Sequence, residues 1–315
     1  MITLTQLEYI VAVARHGSFR QAAKACFVTQ PTLSMQIKKL EDDLGVSIFD
    51  RGAQPVQPTP LGKRVLEQSA VVLNQAARIE ELVRAAKSSV EGELSLAVIP
   101  TLAPYVLPLF VERFTRAHPA VQLRIEESTT DAILQALRER RLDVGLLATP
   151  LHEPMIRERA LFREPFYVYA RRDSALGQLS QVTDADLKGE RVLLLAEGHC
   201  LRAQVARVCG YRERKRAREA AGFELASGSI ETLCHLVDEG VGYTVIPHLA
   251  RRWSATRHGR VIPFSEPQPS REVGLIVHES FTRDALLDAL AASIEGSLPQ
   301  ELRDPEVALR TVKLR

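Results

Sequence analysis

At 315 residues, 45% hydrophobic and 25% charged, the chain has the composition of a soluble globular protein and is long enough for two or three domains with real cores. Its 41 Lys/Arg against 39 Asp/Glu leave a formal charge of +2, so any nucleic-acid role must come from a local motif and not from bulk charge. No basic stretch followed by a long apolar run opens the chain, runs such as Val192–Ala196 fall far short of the ~20 residues of a membrane span, and four cysteines are too few for a secreted disulfide scaffold.

These features predict a cytoplasmic protein with no membrane partner, in a compartment that keeps thiols reduced. Cysteines there are reactive, regulatory or simply buried. Cys and His residues lack the clustered spacing of a zinc site, so neither a metal nor a cofactor is expected.

Leu4–His16 places Leu4, Leu7, Ile10, Val11 and Ala14 at helical spacing, and Gly17 ends it. Ser18, three residues before Gln21, caps a second short helix through Cys26. Thr29 caps a third, with Pro31 in its first turn, and this helix runs to Leu44 and stops at Gly45. Asp50–Pro58, rich in Gly, Pro and Gln, reads as a wing between two short strands. Thr59-Pro60 then opens a long helix, where Val65, Val72, Ile79 and Ala86 recur every seven residues with Ala76 and Val83 between them. Such a seam pairs with a partner helix or packs as one long core helix, and the absence of a cap over so long a run favours pairing.

From Glu91 onward strands and helices alternate: strands at Leu94–Ile99, Val121–Glu126, Val144–Leu147, Val192–Leu195, Tyr243–Ile246 and Val273–Val277; helices at Pro104–Ala117, Asp131–Arg141, Ile230–Glu239 and Phe281–Ile294. The alternation predicts an α/β domain with parallel sheets and crossover helices. Residues 301–315, rich in Pro, Glu and Arg, read as a mobile tail.

The helix from residue 30 to 44 carries the first functional signal. Leu33, Ile37, Leu40 and Leu44 fall on one face, and Pro31, Ser34, Met35 and Lys38 on the other, with Gln30 at its start. Amides and hydroxyls on the outward N-terminal face suit base edges in a major groove, while Lys38, Lys39 and Arg51 suit phosphates. The runs Phe19-Arg20-Gln21-Ala22-Ala23, Val28-Thr29-Gln30-Pro31-Thr32-Leu33-Ser34, Ile37-Lys38-Lys39-Leu40-Glu41 and Leu44-Gly45-Val46, continued by Phe49, Arg51, Thr59 and Gly62, resemble the winged helix-turn-helix of LysR-type regulators.

That resemblance implies a domain order: a winged helix-turn-helix over 1–58, a linker and dimerisation helix over 59–90, and a two-lobed, periplasmic-binding-protein-like regulatory domain over 91–300. It places Gln30, Pro31, Ser34 and Lys38 at the DNA and Thr32 and Arg51 on phosphates. It also implies double-stranded promoter DNA and RNA polymerase as partners, a homodimer or homotetramer, and no enzymatic role.

The second signal is Glu197-Gly198-His199-Cys200-Leu201-Arg202, with Cys209 nine residues beyond Cys200. Cys200 falls at a strand-to-helix turn, where a helix N-terminus favours a thiolate and Arg202 and His199 add positive potential. A thiolate there attacks a peroxide O–O bond, and a second thiol resolves the resulting sulfenic acid. Nine residues of intact helix separate the two Cα atoms by ~13.5 Å, whereas a disulfide needs roughly 4.4–6.8 Å, so a bond between them requires the segment to refold. By spacing alone, two buried structural thiols fit as well.

The same segment, together with Ile99-Pro100-Thr101, Pro104-Tyr105 and Ser229-Ile230-Glu231-Thr232-Leu233, resembles the redox loop of the peroxide-sensing branch of the LysR family. The resemblance implies that Cys200 is peroxidatic and Cys209 resolving, that Thr101 and Thr130 lie beside Cys200, and that hydrogen peroxide is the signal. The chain departs from that pattern in the basic run Arg212–Arg218, read as a solvated helix face, and in Cys234, read with Cys26 as packed. Two rival readings are a metabolite held by Thr101, Thr130 and Ser229 in the cleft, and a thiol peroxidase, against which the DNA-reading helix argues.

Overall fold

In a computed structural model of the chain, the described residues are 2–50, 52, 55–85, 90–210, 226–254 and 258–312. The chain forms two compact units, with the boundary after residue 87. Arg51, Ala86 and the basic run 212–218 lie outside the described residues, as does the side chain of Val83.

In the first unit, α1 (Leu4–His16), α2 (Phe19–Ala25) and α3 (Gln30–Leu44) start and stop where short-range chemistry dictates. Thr3 and Gln6 form a reciprocal capping box, Ser18 caps α2 and Thr29 caps α3, while Gly17 and Gly45 close α1 and α3 in the left-handed conformation. Leu7, Ile10, Val13, Leu33, Ile37 and Leu40 are buried together with Ile48 and Phe49. Leu44 does not join them: it is the last residue before Gly45, beyond the final buried turn, and is exposed.

The wing strands β1 (Phe49–Asp50) and β2 (Gln57–Pro58) pair antiparallel. The Glu41 carboxylate accepts from the Ile48 and Phe49 N–H groups at 2.8 and 3.3 Å, which fastens the wing to α3. The long helix α4 (Pro60–Ala85) packs Val65, Leu66 and Leu73 on this core and leaves Val72 and Ile79 exposed.

The second unit is built on one mixed sheet. Strands β3 (Gly92–Val98), β4 (Val121–Glu127) and β5 (Val144–Thr149) are parallel, joined by α5 (Ala103–Ala117) and α6 (Thr130–Arg138). Two long strands, β6 (Ile156–Arg171) and β9 (Gln268–His278), run antiparallel to each other and through both halves of the unit. The start of β6 lies beside β9 next to β5, while its second half pairs with β7 (Tyr243–Pro247) and β8 (Gly259–Pro263). Around the second half lie α7 (Cys200–Val208), α8 (Ile230–Asp238) and the short α9 (Arg251–Ser254); α10 (Asp284–Glu295) completes the first.

Two expectations about the sheet are corrected, and one long strand was not expected. The sheet is mixed and not wholly parallel, because β9 runs against both β5 and β6. The strand β6 escapes an apolar-run reading because Arg157, Glu158, Arg159, Arg163 and Glu164 interrupt it; Arg157 and Arg159 pair with Asp284 and Asp288 of α10. Residues 192–195 form only an isolated bridge at Val192, with the Leu193 carbonyl taken by the Thr244 hydroxyl at 3.0 Å in place of a ladder partner.

The region from residue 301 is not a loose tail up to residue 312. After α11 (Gln300–Arg303), β10 (Leu309–Thr311) adds to β9 in parallel, and the Gln204 amide of α7 donates to the Val312 carbonyl at 3.2 Å. No helix among the described residues is long and apolar enough to cross a membrane.

Candidate functional site

On α3 the candidate DNA contacts are presented outward. Gln30, Pro31, Thr32 and Lys38 are exposed and Ser34 is half-buried. The Thr32 hydroxyl lies 2.8 Å from that of Thr29, so it also serves the helix cap. Between Gln30 and Leu40 the helix carries Lys38 and Lys39 and no acid; Glu41, Asp42 and Asp43 are confined to its C-terminal end. Arg20 and Lys24 of α2 are exposed as well. This unit therefore offers phosphates a helix N-terminus and neighbouring cations.

The cysteine pocket is assembled from distant segments. Cys200 is the first residue of α7, following the left-handed Gly198 and the N-cap His199. The His199 ring packs over Gly228, where an added Cβ would come within 2.9 Å of its Nε2; burial lowers its pKa, which favours the neutral imidazole. Burial also pushes the Cys200 thiol above its ordinary value. The Arg271 guanidinium, the Thr130 hydroxyl and the first N–H groups of α7 pull the other way without overcoming it. The expectation of a thiolate-favouring site is thus corrected in sign for the resting state. Desolvation outweighs the local positive potential.

The positive charge that reaches Cys200 belongs to Arg271, which the sequence reading missed; Arg202 turns its guanidinium onto the Leu195 carbonyl at 2.8 Å. Arg271, on β9, is fully buried against the equally buried Glu164 of β6, with Nε and Nη2 at 2.8 and 2.7 Å from Oε2. Its Nη1 donates to the Thr101 hydroxyl at 3.0 Å and its Nη2 to the Thr101 carbonyl at 3.1 Å, while the second Glu164 oxygen accepts from the Leu249 N–H at 2.7 Å. Thr101 and Cys200 thereby share one buried cation, while Thr130 acts on Cys200 and His199 precedes it in the chain. The Thr130 hydroxyl is buried, makes no hydrogen bond to an oxygen or nitrogen among the described residues, and is directed to Cys200, where it stabilises a thiolate.

Beside this pocket the Glu231 carboxylate of α8 accepts from the Tyr105 hydroxyl at 2.6 Å and the Ser229 hydroxyl at 2.7 Å. Burial opposes its ionisation, but these two donors prevail and hold its pKa down. Ser229 also caps α8 through the Thr232 N–H, so its hydroxyl is committed. Cys234 is buried and Cys26 half-buried at the edge of the helical core.

Cys209 caps the other end of α7, with its N–H bonded to the Val205 carbonyl at 2.9 Å. Burial pushes its thiol up to about 11, against a hydrogen bond from Tyr243 that lowers it. The two cysteines thus stand at opposite ends of an intact helix of nine residues, flanked by Gly198 and Gly210, both with positive φ. A helix that short is marginal outside its tertiary contacts, and left-handed glycines at both ends let the chain change direction there without steric cost.

The comparisons with known proteins agree with both units. Residues 4–63 match the bacterial regulatory helix-turn-helix protein, lysR family, and residues 87–298 match the LysR substrate binding domain. The chain is 36% identical over 298 residues to a probable hydrogen peroxide-inducible genes activator of Streptomyces viridosporus, covering 94% of each sequence. It is 33% identical over 307 residues to the DNA-binding transcriptional dual regulator OxyR of Escherichia coli, covering 96% of this chain and 99% of that one. Among solved structures, a full-length OxyR of Pseudomonas aeruginosa with a Cys-to-Asp substitution superposes with a TM-score of 0.74 at 36% identity over 95% of this chain and 99% of that one. A Corynebacterium glutamicum OxyR with a Cys-to-Ser substitution and hydrogen peroxide bound gives 0.64 at 29% identity, over 94% and 92%. With both of its units matched in order, the chain belongs to the LysR family of helix-turn-helix transcriptional regulators.

Proposed function

We propose that the chain is a peroxide-responsive transcriptional regulator, not an enzyme, in which Cys200 is the sensor and Cys209 the resolving thiol. The observation that carries this reading is the placement of Cys200 at the start of α7, facing a buried guanidinium and the buried Thr130 hydroxyl, with a second thiol at the end of the same helix. The Cys200 thiolate attacks one peroxide oxygen, the O–O bond breaks, and the departing oxygen leaves as water after taking up a proton; Cys200 becomes a sulfenic acid. Thr101 and Thr130 polarise the bound peroxide. The Cys209 sulfur then displaces the sulfenic hydroxyl as a second water, giving a disulfide.

Closing that bond removes α7 as a helix, since its ends lie ~13.5 Å apart when folded. Loss of α7 changes the surface of the regulatory unit and reorients paired protomers on promoter DNA. In this reading α4 pairs with a partner's α4 through Val72 and Ile79 to form a homodimer or homotetramer. Gln30, Pro31 and Ser34 meet base edges, Lys38, Thr32 and Arg51 meet phosphates, RNA polymerase is the downstream partner, and the protein works in the cytoplasm.

Thiol trapping after a stoichiometric pulse of hydrogen peroxide tests the chemistry on wild type, Cys200→Ser and Cys209→Ser. The expected result is one intramolecular 200–209 disulfide in the wild type, none in either variant, and a trapped sulfenic acid in Cys209→Ser. Oxidation of Cys200 no faster than that of a free thiol would sink the sensor reading. A regulator of the same family with a different signal would remain.

A further inference from the structure

The outward face of α3 carries an apolar component that the polar DNA contacts do not explain. Met35 is 62% exposed, and Phe27, in the turn before α3, is 96% exposed with φ +55°. A non-glycine residue in the left-handed region is strained, and a Phe left almost wholly in water forgoes the burial that usually compensates for it. Pro31 is exposed one turn before Met35, so the two share a face alongside the polar stripe of Gln30, Ser34 and Lys38. The exposed cations Arg20, Lys24, Lys38 and Lys39 flank these apolar residues. That charge fits a polyanion better than the surface of a second copy.

We propose that this stripe recognises thymine: Met35 and Pro31 pack on thymine 5-methyl groups in the major groove, and Phe27 covers deoxyribose at the edge of the same site. The inference rests on the DNA-binding reading above and adds to it the base chemistry that the helix selects. Amides and hydroxyls read hydrogen-bonding edges, whereas the thymine methyl is the one major-groove feature recognised by apolar contact. Phe27, by contrast, touches no base and contributes affinity without sequence information.

The test uses full-length protein and a duplex selected from a random pool by the wild type. A second duplex has every thymine of the bound region replaced by deoxyuridine, which removes only the methyl groups. Wild type is expected to bind the uracil duplex more weakly by about fourfold for each methyl contacted. Met35→Ala binds the thymine duplex correspondingly more weakly and keeps only the smaller uracil sensitivity that Pro31 supplies. Phe27→Asn, which suits the left-handed conformation, weakens both duplexes equally and leaves the salt dependence unchanged, because no phosphate contact is lost.

Equal wild-type binding to both duplexes, a selected site without thymine, or full uracil sensitivity in Met35→Ala would each overturn the proposal. So would a change of oligomeric state in Met35→Ala or Phe27→Asn at unaltered DNA affinity, which would make the stripe a protein interface. Failure of the wild type to select any duplex is a separate result, and it counts against the DNA-binding reading itself.

Discussion

The candidate DNA contacts of α3, from Gln30 to Lys38, come from nine consecutive residues, while the pocket around Cys200 joins Thr101 to Arg271 across 170 positions. The first is a surface whose geometry follows from one helix and its cap. The second is an interior whose charges are held together only because two long strands pair. Substitutions on α3 should therefore alter binding and spare stability, whereas removing a buried charge of the pocket should cost stability as well.

The largest contrast is between Arg271→Gln and Lys38→Ala. Removing the buried guanidinium strands Glu164 in a site with no access to water, and breaking such a pair costs about 3–5 kcal/mol. Lys38 is exposed, and its loss should change stability by less than ~0.5 kcal/mol while weakening DNA binding and flattening its salt dependence. Denaturant unfolding of both variants checks the first quantity, and titration of DNA at several salt concentrations the second. A neutral Arg271→Gln would erase the distinction between the two regions.

A smaller effect is written into pH. Cys209 titrates near 9.0 when unfolded and at about 11 when folded, so between these values the folded state holds a proton that the unfolded state has released. Stability from this group is therefore intact below pH 9 and declines through pH 11, by about 2–3 kcal/mol, with Tyr105 and Tyr243 pushed in the same direction. Unfolding measured across this range should show the decline, and Cys209→Ala should reduce its slope. An unchanged slope would mean that Cys209 is solvated in the folded protein.

Thr130→Val gives a small change in stability and the sharpest comparison. The hydroxyl it removes is buried and bonds to no oxygen or nitrogen among the described residues, so stability should hold or rise by under ~1 kcal/mol. The Cys200 thiol should shift further upward, and its reaction with peroxide should slow at neutral pH, because the thiolate loses a donor. Stopped-flow oxidation rates over a pH series measure this. An unaltered rate profile would remove Thr130 from the sensing chemistry.

The legibility of the sequence follows the same division. The bounds of α1 and α3, their caps and the wing are local properties, and Thr29, Pro31 and Gly45 mark them plainly. Cys200 at a helix start and Cys209 at its end could also be read from spacing and from Gly198. Arg271 and Glu164 could not, since each lies in a strand among other charged residues and nothing in their neighbourhood marks them as buried. The sign of the Cys200 shift was missed for a related reason: desolvation depends on packing from remote segments, while a helix N-terminus can be seen in six residues. Charges that serve as rungs to α10 hid β6, and the Thr244 hydroxyl, which occupies the Leu193 carbonyl, left residues 192–195 short of a strand.

The strand at the end of the chain has a practical consequence. Through Gln204 and Val312 the last described turn of sequence is tied to the middle of α7, and through Ser270 it lies one residue from Arg271. If α7 opens as proposed, anything attached beside residue 312, whether an affinity tag, a fluorophore or a fused domain, is mounted on a segment that moves with it. The segment Leu309–Thr311 is in that reading a handle on α7, suited to reporting its state and a poor place for a supposedly silent label.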